Sequence, residues 1–296
     1  MPAIIYTNRL DHIVHLTPPG SVQAASEQFR KLGFHVIDGG THADGLTANA
    51  LVVFSDGVYL ELISFTHPVS HYPPTSPSYH ARTHHQWANK DPGWVAYSML
   101  GAPGIKRPIS ERINSLAASA GLDLRYAPEV PGGRQRPDGV ELKWEITAPE
   151  RWAEKEGGMR LPFFCGDVTS RTLRVPTQPG SNTEHENGAH GIAHLRVIAP
   201  HSSFADVSRE LTSVFIGEPP IVDSPTRHAW LLKVPGKANW HPRLILNEVD
   251  EANEAEKDFV RSNGAGLFEI GVRVGNGVSG SVQTPYGKVV WVPASS

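Results

Sequence analysis

Cysteine is almost absent from this chain. Cys165 stands alone among 296 residues, which excludes an internal disulfide framework and fits a reducing compartment. An excess of one charge sign is missing too. Charged residues make up 19% and the formal net charge is -3, with no polybasic or polyacidic block, so neither a nucleic-acid groove nor an anionic membrane surface is indicated. No window approaches the ~20 apolar residues of a membrane span. The opening MPAIIYTNRL lacks the basic region and long apolar stretch of a leader. GxSxG, HExxH, paired CxxC and phosphate-loop glycines do not occur, which argues against serine hydrolases, zincins, zinc ribbons and nucleotide-binding folds. The expectation these absences leave is a soluble cytoplasmic protein whose partner is a small molecule, with no nucleic acid and no membrane; a homodimer stays open.

What the chain contains is a repeated unit. The first copy starts with the apolar run Leu10 to Leu16, turns through TPPGS and continues as SVQAASEQFRKLGF, where Val22, Ala25, Phe29 and Leu32 fall at helical spacing between a capping Ser21 and a terminating Gly33. The second, WVAYSMLGAPGIKRPISERINSLAASAGL, repeats this grammar with Ser110 as cap, Ile113, Leu116 and Ala120 on one face, and Gly121 as stop. The third, IAHLRVIAPHSSFADVSRELTSVFIGE, uses Phe204, Val207, Leu211 and Val214, then Gly217. Strands follow each helix: ALVVFSDGVYLELISF is two strands around a turn at Asp56 and Gly57, and GVELKWEITAP and HAWLLKVPGKANWHPRLILNEV occupy the matching places. A fourth start, LFEIGVRV, is followed by GNGVSGS and GKVVWV with no helix between them. HPVSHYPPTSPSYHARTHH and LRVPTQPGSNTEHENGAHG read as long surface crossings.

One unit has too few strands to enclose a cavity, so two units are expected to pair around a shared cup. The predicted class is α+β, with tandem βαβββ modules pairing into cup-shaped, half-open mixed sheets flanked by helices. Residues 1–170 form an N-terminal domain of two modules, 171–188 a linker, and 189–296 a third module plus a truncated fourth.

The stretches LDHIVH, GGTHADGLTANALVVFSDGVYLELI, PGWVAYSM, RPDGVELKWEI and LPFF, in this order over roughly residues 10 to 165, resemble the glyoxalase-like domains of the vicinal oxygen chelate superfamily. That resemblance implies paired βαβββ modules, and commonly a divalent metal held by a His or carboxylate on the first strand of a module and a Glu or Gln on the last. The matching positions here are His12 and Glu61.

Alternation along a strand puts His12 with Val14 and Leu16, and Glu61 with Tyr59 and Ile63, so both are expected to face the cup. An inward carboxylate among apolar neighbours is costly unless paired or metal-bound, and imidazole plus carboxylate suits Zn²⁺, Mn²⁺ or Fe²⁺. A hydrogen-bonded core pair explains the same residues without metal. His12, Ala96, His194 and Glu269 share the third position of the four unit starts, so the second unit brings Ala96 where the family pattern expects a ligand. His194 and Glu269 form a second candidate metal pair. Thr47, Asn49, Tyr59 and Trp94 are candidate substrate contacts, with turn chemistry or core filling as alternatives. The cluster around His80, His84 and His85 reads as a solvated loop, and Arg134, Arg136 and Lys143 as exposed charge or contacts to an anion. Together with the resemblance, these residues suggest a small-molecule lyase, isomerase or ring-cleaving or rearranging enzyme with Glu61 and His12 as catalytic groups. Two alternatives remain: a non-catalytic binder of the drug-resistance type, and a metal-free acid-base catalyst.

Overall fold

A computed structural model describes residues 6–136, 138–152, 160–275 and 277–294. The first five residues, Pro137 of the RPDGVELKWEI stretch and Asn276 of GNGVSGS lie outside the described residues.

The first module is β1 (Leu10–Thr17), α1 (Val22–Lys31), β2 (Ile37–Thr41), β3 (Thr47–Val53) and β4 (Tyr59–Phe65). All eight residues of β1 and all seven of β4 are buried, as expected of central strands covered on both faces. Helix α1 begins after Ser21, whose hydroxyl donates back to Pro18 O and makes no cap bond. The turn between β3 and β4 forms at Asp56 and Gly57: Gly57 takes φ +81°, a left-handed conformation that glycine adopts without strain, and Asp56 Oδ1 accepts the Val58 N–H at 2.9 Å.

After α2 (Pro77–Thr83) the second module repeats the order with β5 (Gly93–Leu100), α3 (Ile109–Ser119), β6 (Val130–Gln135), β7 (Glu141–Thr147) and β8 (Phe163–Asp167). Ser110 is not the cap of α3: the helix starts behind Pro108, and the Ser110 hydroxyl donates to Glu129 Oε2 at 2.8 Å. A short helix α4 (Arg171–Arg174) leads to the third module, β9 (Ala189–Ala199), α5 (His201–Val214), β10 (Ile221–Ser224), β11 (Arg227–Leu231) and β12 (Arg243–Glu248). Then come α6 (Glu254–Asn263), β13 (Gly266–Val274), β14 (Gly280–Thr284) and β15 (Gly287–Pro293), and among the described residues no helix stands between β13 and β14.

The strands form an eight-stranded sheet, β2-β3-β4-β1-β5-β8-β7-β6, and a seven-stranded one, β10-β11-β12-β9-β13-β15-β14. Each joins two modules through antiparallel pairing of their first strands, β1 with β5 and β9 with β13. The edges of the larger sheet meet: His42 bridges to Arg134, and Ala43 N–H donates to Gly133 O at 3.0 Å. This nearly closes it into a cup. Its outer face packs through Ile13, Leu60, Tyr97 and Phe164 into a core shared with helix residues Phe29, Ile113 and Leu211 and with Leu195 and Ile270 of the second sheet. The inner face is free to line a cavity. No helix among the described residues is long and apolar enough to cross a membrane.

Candidate active site

Period-two alternation delivers one inward row from each strand of the cup. His12 comes from β1, Thr47, Asn49 and Leu51 from β3, Tyr59, Glu61 and Ile63 from β4, and all of these line a cavity of about 300 Å³. Trp144 and Ile146 of β7, with Phe163 and Cys165 of β8, form the facing wall. Trp152 and Phe163 lie 4.8 Å apart between ring centres, and Trp87 meets Trp152 edge-on at 4.9 Å.

The polar floor centres on Glu61, which is 8% exposed. His12 Nε2 lies 3.7 Å from one carboxylate oxygen and His42 Nε2 lies 3.7 Å from the other. Asn49 Nδ2 donates to Glu61 Oε1 at 2.6 Å. Both imidazoles are held from behind. Nδ1 of His42 shares a 2.7 Å hydrogen bond with Thr47 Oγ1, and Nδ1 of His12 donates to Asp11 Oδ2 at 2.7 Å. The Tyr59 ring stacks on His12 at 4.7 Å and 17°.

Asp11 is fully buried and is the anchor of this floor. It accepts from Arg171 and, at 2.9 Å, from Arg174, which also donates to Asp167 Oδ1 at 2.5 Å and Tyr59 OH at 2.8 Å. Burial alone would raise the Asp11 carboxyl, but Arg171 and Arg174, helped by His12, hold it well below the usual carboxylate range. It is therefore ionised, and the His12 proton sits on Nδ1. This leaves Nε2 as the His12 atom that faces the Glu61 carboxylate. His42 is pushed down by burial, against the opposing pull of Glu61 and Asp44.

The donor set of imidazole and carboxylate, with a carboxylate behind the imidazole, suits a borderline divalent cation. Among the described residues no group of three or more His, Cys, Asp and Glu is placed to hold a metal ion. His12 and Glu61 would supply two ligands here, with the remaining positions left to solvent and substrate.

The second candidate pair is also brought together, His194 Nε2 lying 3.6 Å from Glu269 Oε1. Glu269, however, is already served by Lys288 Nζ at 2.8 Å and faces Arg196 at 3.9 Å. Burial opposes its ionisation, but hydrogen bonds from His194 and Lys288 and the charges of Lys288 and Arg196 outweigh it and bring it to about 2. Two cations already balance this carboxylate. Ala96 is fully buried opposite Val14, in the apolar cluster that also holds the wall residues Trp144, Trp152, Phe163 and Cys165.

Trp94 points away from the cavity: its indole N–H donates to Lys288 O at 3.1 Å, and its ring packs against His15 and Phe29 between the two sheets. The reason is a slip in pairing between Val14 and His15, which sets Trp94 opposite His15 rather than on the His12 face. Of the histidine loop, His80 and His84 are exposed, while His85 lines the cavity and burial brings it down to about 4. Sequence reasoning passed over His42, Asp11, Arg171 and Arg174. Strict alternation from His12 leaves Asp11 on the opposite face, and both arginines fall in the 171–188 stretch read as a linker; nothing in the spacing of His42 marks it.

The sequence profile described as the glyoxalase-like domain matches residues 10–214. No curated protein sequence matches the chain significantly. Among solved structures, a hypothetical protein from Staphylococcus aureus is similar with a TM-score of 0.65 at 12% identity, over 96% of this chain and 99% of that one. A variant of 4-hydroxymandelate synthase from Streptomyces coelicolor is similar with a TM-score of 0.56 at 12% identity, over 95% of this chain and 78% of that one. At such identities the two structures speak for the fold alone.

Proposed function

We propose, from the premise that this chain belongs to the glyoxalase-like domain family, that the N-terminal cup is the reaction site of a small-molecule enzyme in which Glu61 exchanges a proton with the bound substrate. The observation that carries this reading is a buried carboxylate with an imidazole Nε2 3.7 Å from each of its oxygens, at the floor of an aromatic-walled cavity.

Glu61 Oε2 takes the proton from a carbon or hydroxyl next to a substrate oxygen, because Oε1 is already engaged by Asn49. His12 is fixed by Asp11 with Nε2 toward that oxygen, so it receives or returns the proton without reorienting. His42, on the other side of Glu61, serves the opposite end of the substrate. The walls exclude water and strengthen each of these interactions. A divalent ion held by His12 and Glu61 would supply Lewis-acid stabilisation of a developing oxyanion when bound.

Proton exchange tests this reading directly. Small carbonyl compounds with a neighbouring oxygen are incubated with the protein in D₂O, with and without Zn²⁺, Mn²⁺ or Fe²⁺, and proton NMR follows loss of the signal beside the carbonyl. Exchange that Glu61→Gln removes supports the reading; exchange that survives the substitution refutes it. The cluster of Trp87, Trp144, Trp152 and Phe163 favours a second reading, a sequestering binder, whose mark would be saturable ligand binding, unchanged in Glu61→Gln, with no turnover.

A further inference from the structure

The charges around the cup do not all have partners inside the protein. Arg171 and Arg174 are engaged by Asp11 and Asp167. Arg134, at 5% exposure, lines the same cavity and makes no ion pair among the described residues. One hydrogen bond holds it, from Nη1 to Gly39 O. None of its nitrogens is sealed in protein without a partner, and the residue lines the cavity beside Glu61, Trp144 and Arg174. A buried guanidinium with no ion-pair partner is costly, and the charge that acts on this one inside the cavity is that of Glu61.

The surroundings of Arg134 define what fits against it. Gly132 lies two residues earlier on the same face of β6 and pairs with Trp144 of β7. A Cβ at Gly132 would stand 2.4 Å from Trp144 Nε1, so the absence of a side chain lets the indole lie against the β6 backbone. The Trp152 and Phe163 rings complete a flat apolar wall.

We propose that the cup takes a monocarboxylate with a flat apolar body, its carboxylate on Arg134 and its body against Trp144 and the Trp152–Phe163 wall. This rests on the reading of the cup as the reaction site and adds the class of its substrate. A single guanidinium fork matches one carboxylate. A phosphate dianion would bring a second negative charge into a cavity that already holds Glu61, and Arg174, the other arginine among the described residues that line it, is engaged by Asp11 and Asp167.

Phenylacetate and its neutral isostere phenylacetamide separate charge from shape, with binding followed by tryptophan fluorescence. The intact protein is expected to prefer the acid at least tenfold. Arg134→Met should erase that preference while leaving the amide's affinity unchanged, which also shows that the cup still folds; Arg134→Lys should keep part of it. If Arg134→Met binds neither probe, the lysine variant decides: retained preference supports the assignment and lost preference overturns it. Equal affinity for acid and amide in the parent, a preference that survives Arg134→Met, or displacement of phenylacetate by equimolar inorganic phosphate would each overturn it. Glu61→Gln keeps the two ideas apart. Lost proton exchange in that variant, with acid preference surviving Arg134→Met, leaves the reaction standing and removes the substrate class; surviving exchange with a preference erased by Arg134→Met does the reverse.

Discussion

Asp11 Oδ2 sits 2.7 Å from Nδ1 of His12, its neighbour in the chain, although successive residues of a strand normally face opposite ways. A bulge makes this possible. The β1–β5 pairing runs Leu10 with Met99 and then His12 with Ser98, so Asp11 is the extra residue. Bulges re-aim side chains in this manner and recur beside active sites. Here the bulge converts a lone imidazole into a carboxylate-oriented one, and the two arginines below Asp11 fix the carboxylate in turn.

Asp11→Asn should therefore damage both the floor and the fold. It removes the shared counter-charge of Arg171 and Arg174, and breaking a buried pair in this way typically costs about 3–5 kcal/mol. In a domain of this size that is a fall in Tm on the order of 10 °C, measurable by calorimetry. The folded Asp11 value lies below the ordinary 3.8, so its contribution is present above that pH and is lost as pH falls beneath it. The gap between parent and variant should accordingly narrow in acid. A constant gap from pH 7 to pH 3 would contradict the assigned role.

Glu61→Gln should preserve the fold, because glutamine can still accept from Asn49 and one buried charge is gone. Proton exchange should fall by about 10²–10⁴-fold, the usual contribution of a positioned base. Metal content read by elemental analysis locates any bound cation: a loss in Glu61→Gln and His12→Ala, with none in Glu269→Gln, would put it in the N-terminal cup. The opposite pattern would move it to the His194–Glu269 pair.

The repeat grammar of the sequence carried the fold because the first three copies state strand, helix and glycine stop in the same order, although the serine caps read for the first two make no cap bond in the structure. The turn at Asp56 and Gly57, the inward rows of β1, β3 and β4, and the missing helix of the last unit all follow from local chemistry. The site was legible only where alternation held. His12, Thr47, Asn49, Tyr59 and Glu61 obey it and reach the cavity; Asp11, which the sequence reading passed over, and Trp94, a candidate substrate contact or core residue, sit at the two pairing slips of β1 with β5, which no periodicity shows. Arg174 was invisible for another reason. It is a charged residue in a proline-rich stretch, where exposure is the default, and only the tertiary placement of Asp11 draws it to 4% exposure.

Glu269 offers an acid-stability test in the other half. Its folded value of about 2 lies below the ordinary 4.5, so its contribution is present above pH 4.5 and disappears as pH falls toward 2. Lys288→Met removes the closest cation and should shift the onset of acid unfolding to higher pH. Circular dichroism across pH 5 to 2 reads this; coincident profiles for parent and variant would show that Lys288 contributes nothing to the state of Glu269.

The last prediction concerns the join between the halves. Asp56 is fully buried there: Oδ2 accepts the Ile192 N–H at 3.2 Å and its carbonyl accepts the Gly236 N–H at 2.7 Å. Burial pushes its carboxyl up to about 7, against the opposing effect of the Val58 and Ile192 N–H groups and of Arg171. A carboxyl raised in the folded state binds its proton more tightly there than in the unfolded chain, so its stabilising contribution is complete below the ordinary 3.8 and is lost as pH rises through about 7. The loss is on the order of 4 kcal/mol at most. Asp56→Asn stays neutral throughout and cannot titrate. Urea unfolding at pH 5 and pH 8 should show the difference between variant and parent moving in the variant's favour at the higher pH. Comparing variant with parent at each pH cancels the other titrating groups. A difference that does not change with pH would mean that Asp56 is already ionised at pH 5 and that the join between the halves tolerates a buried charge.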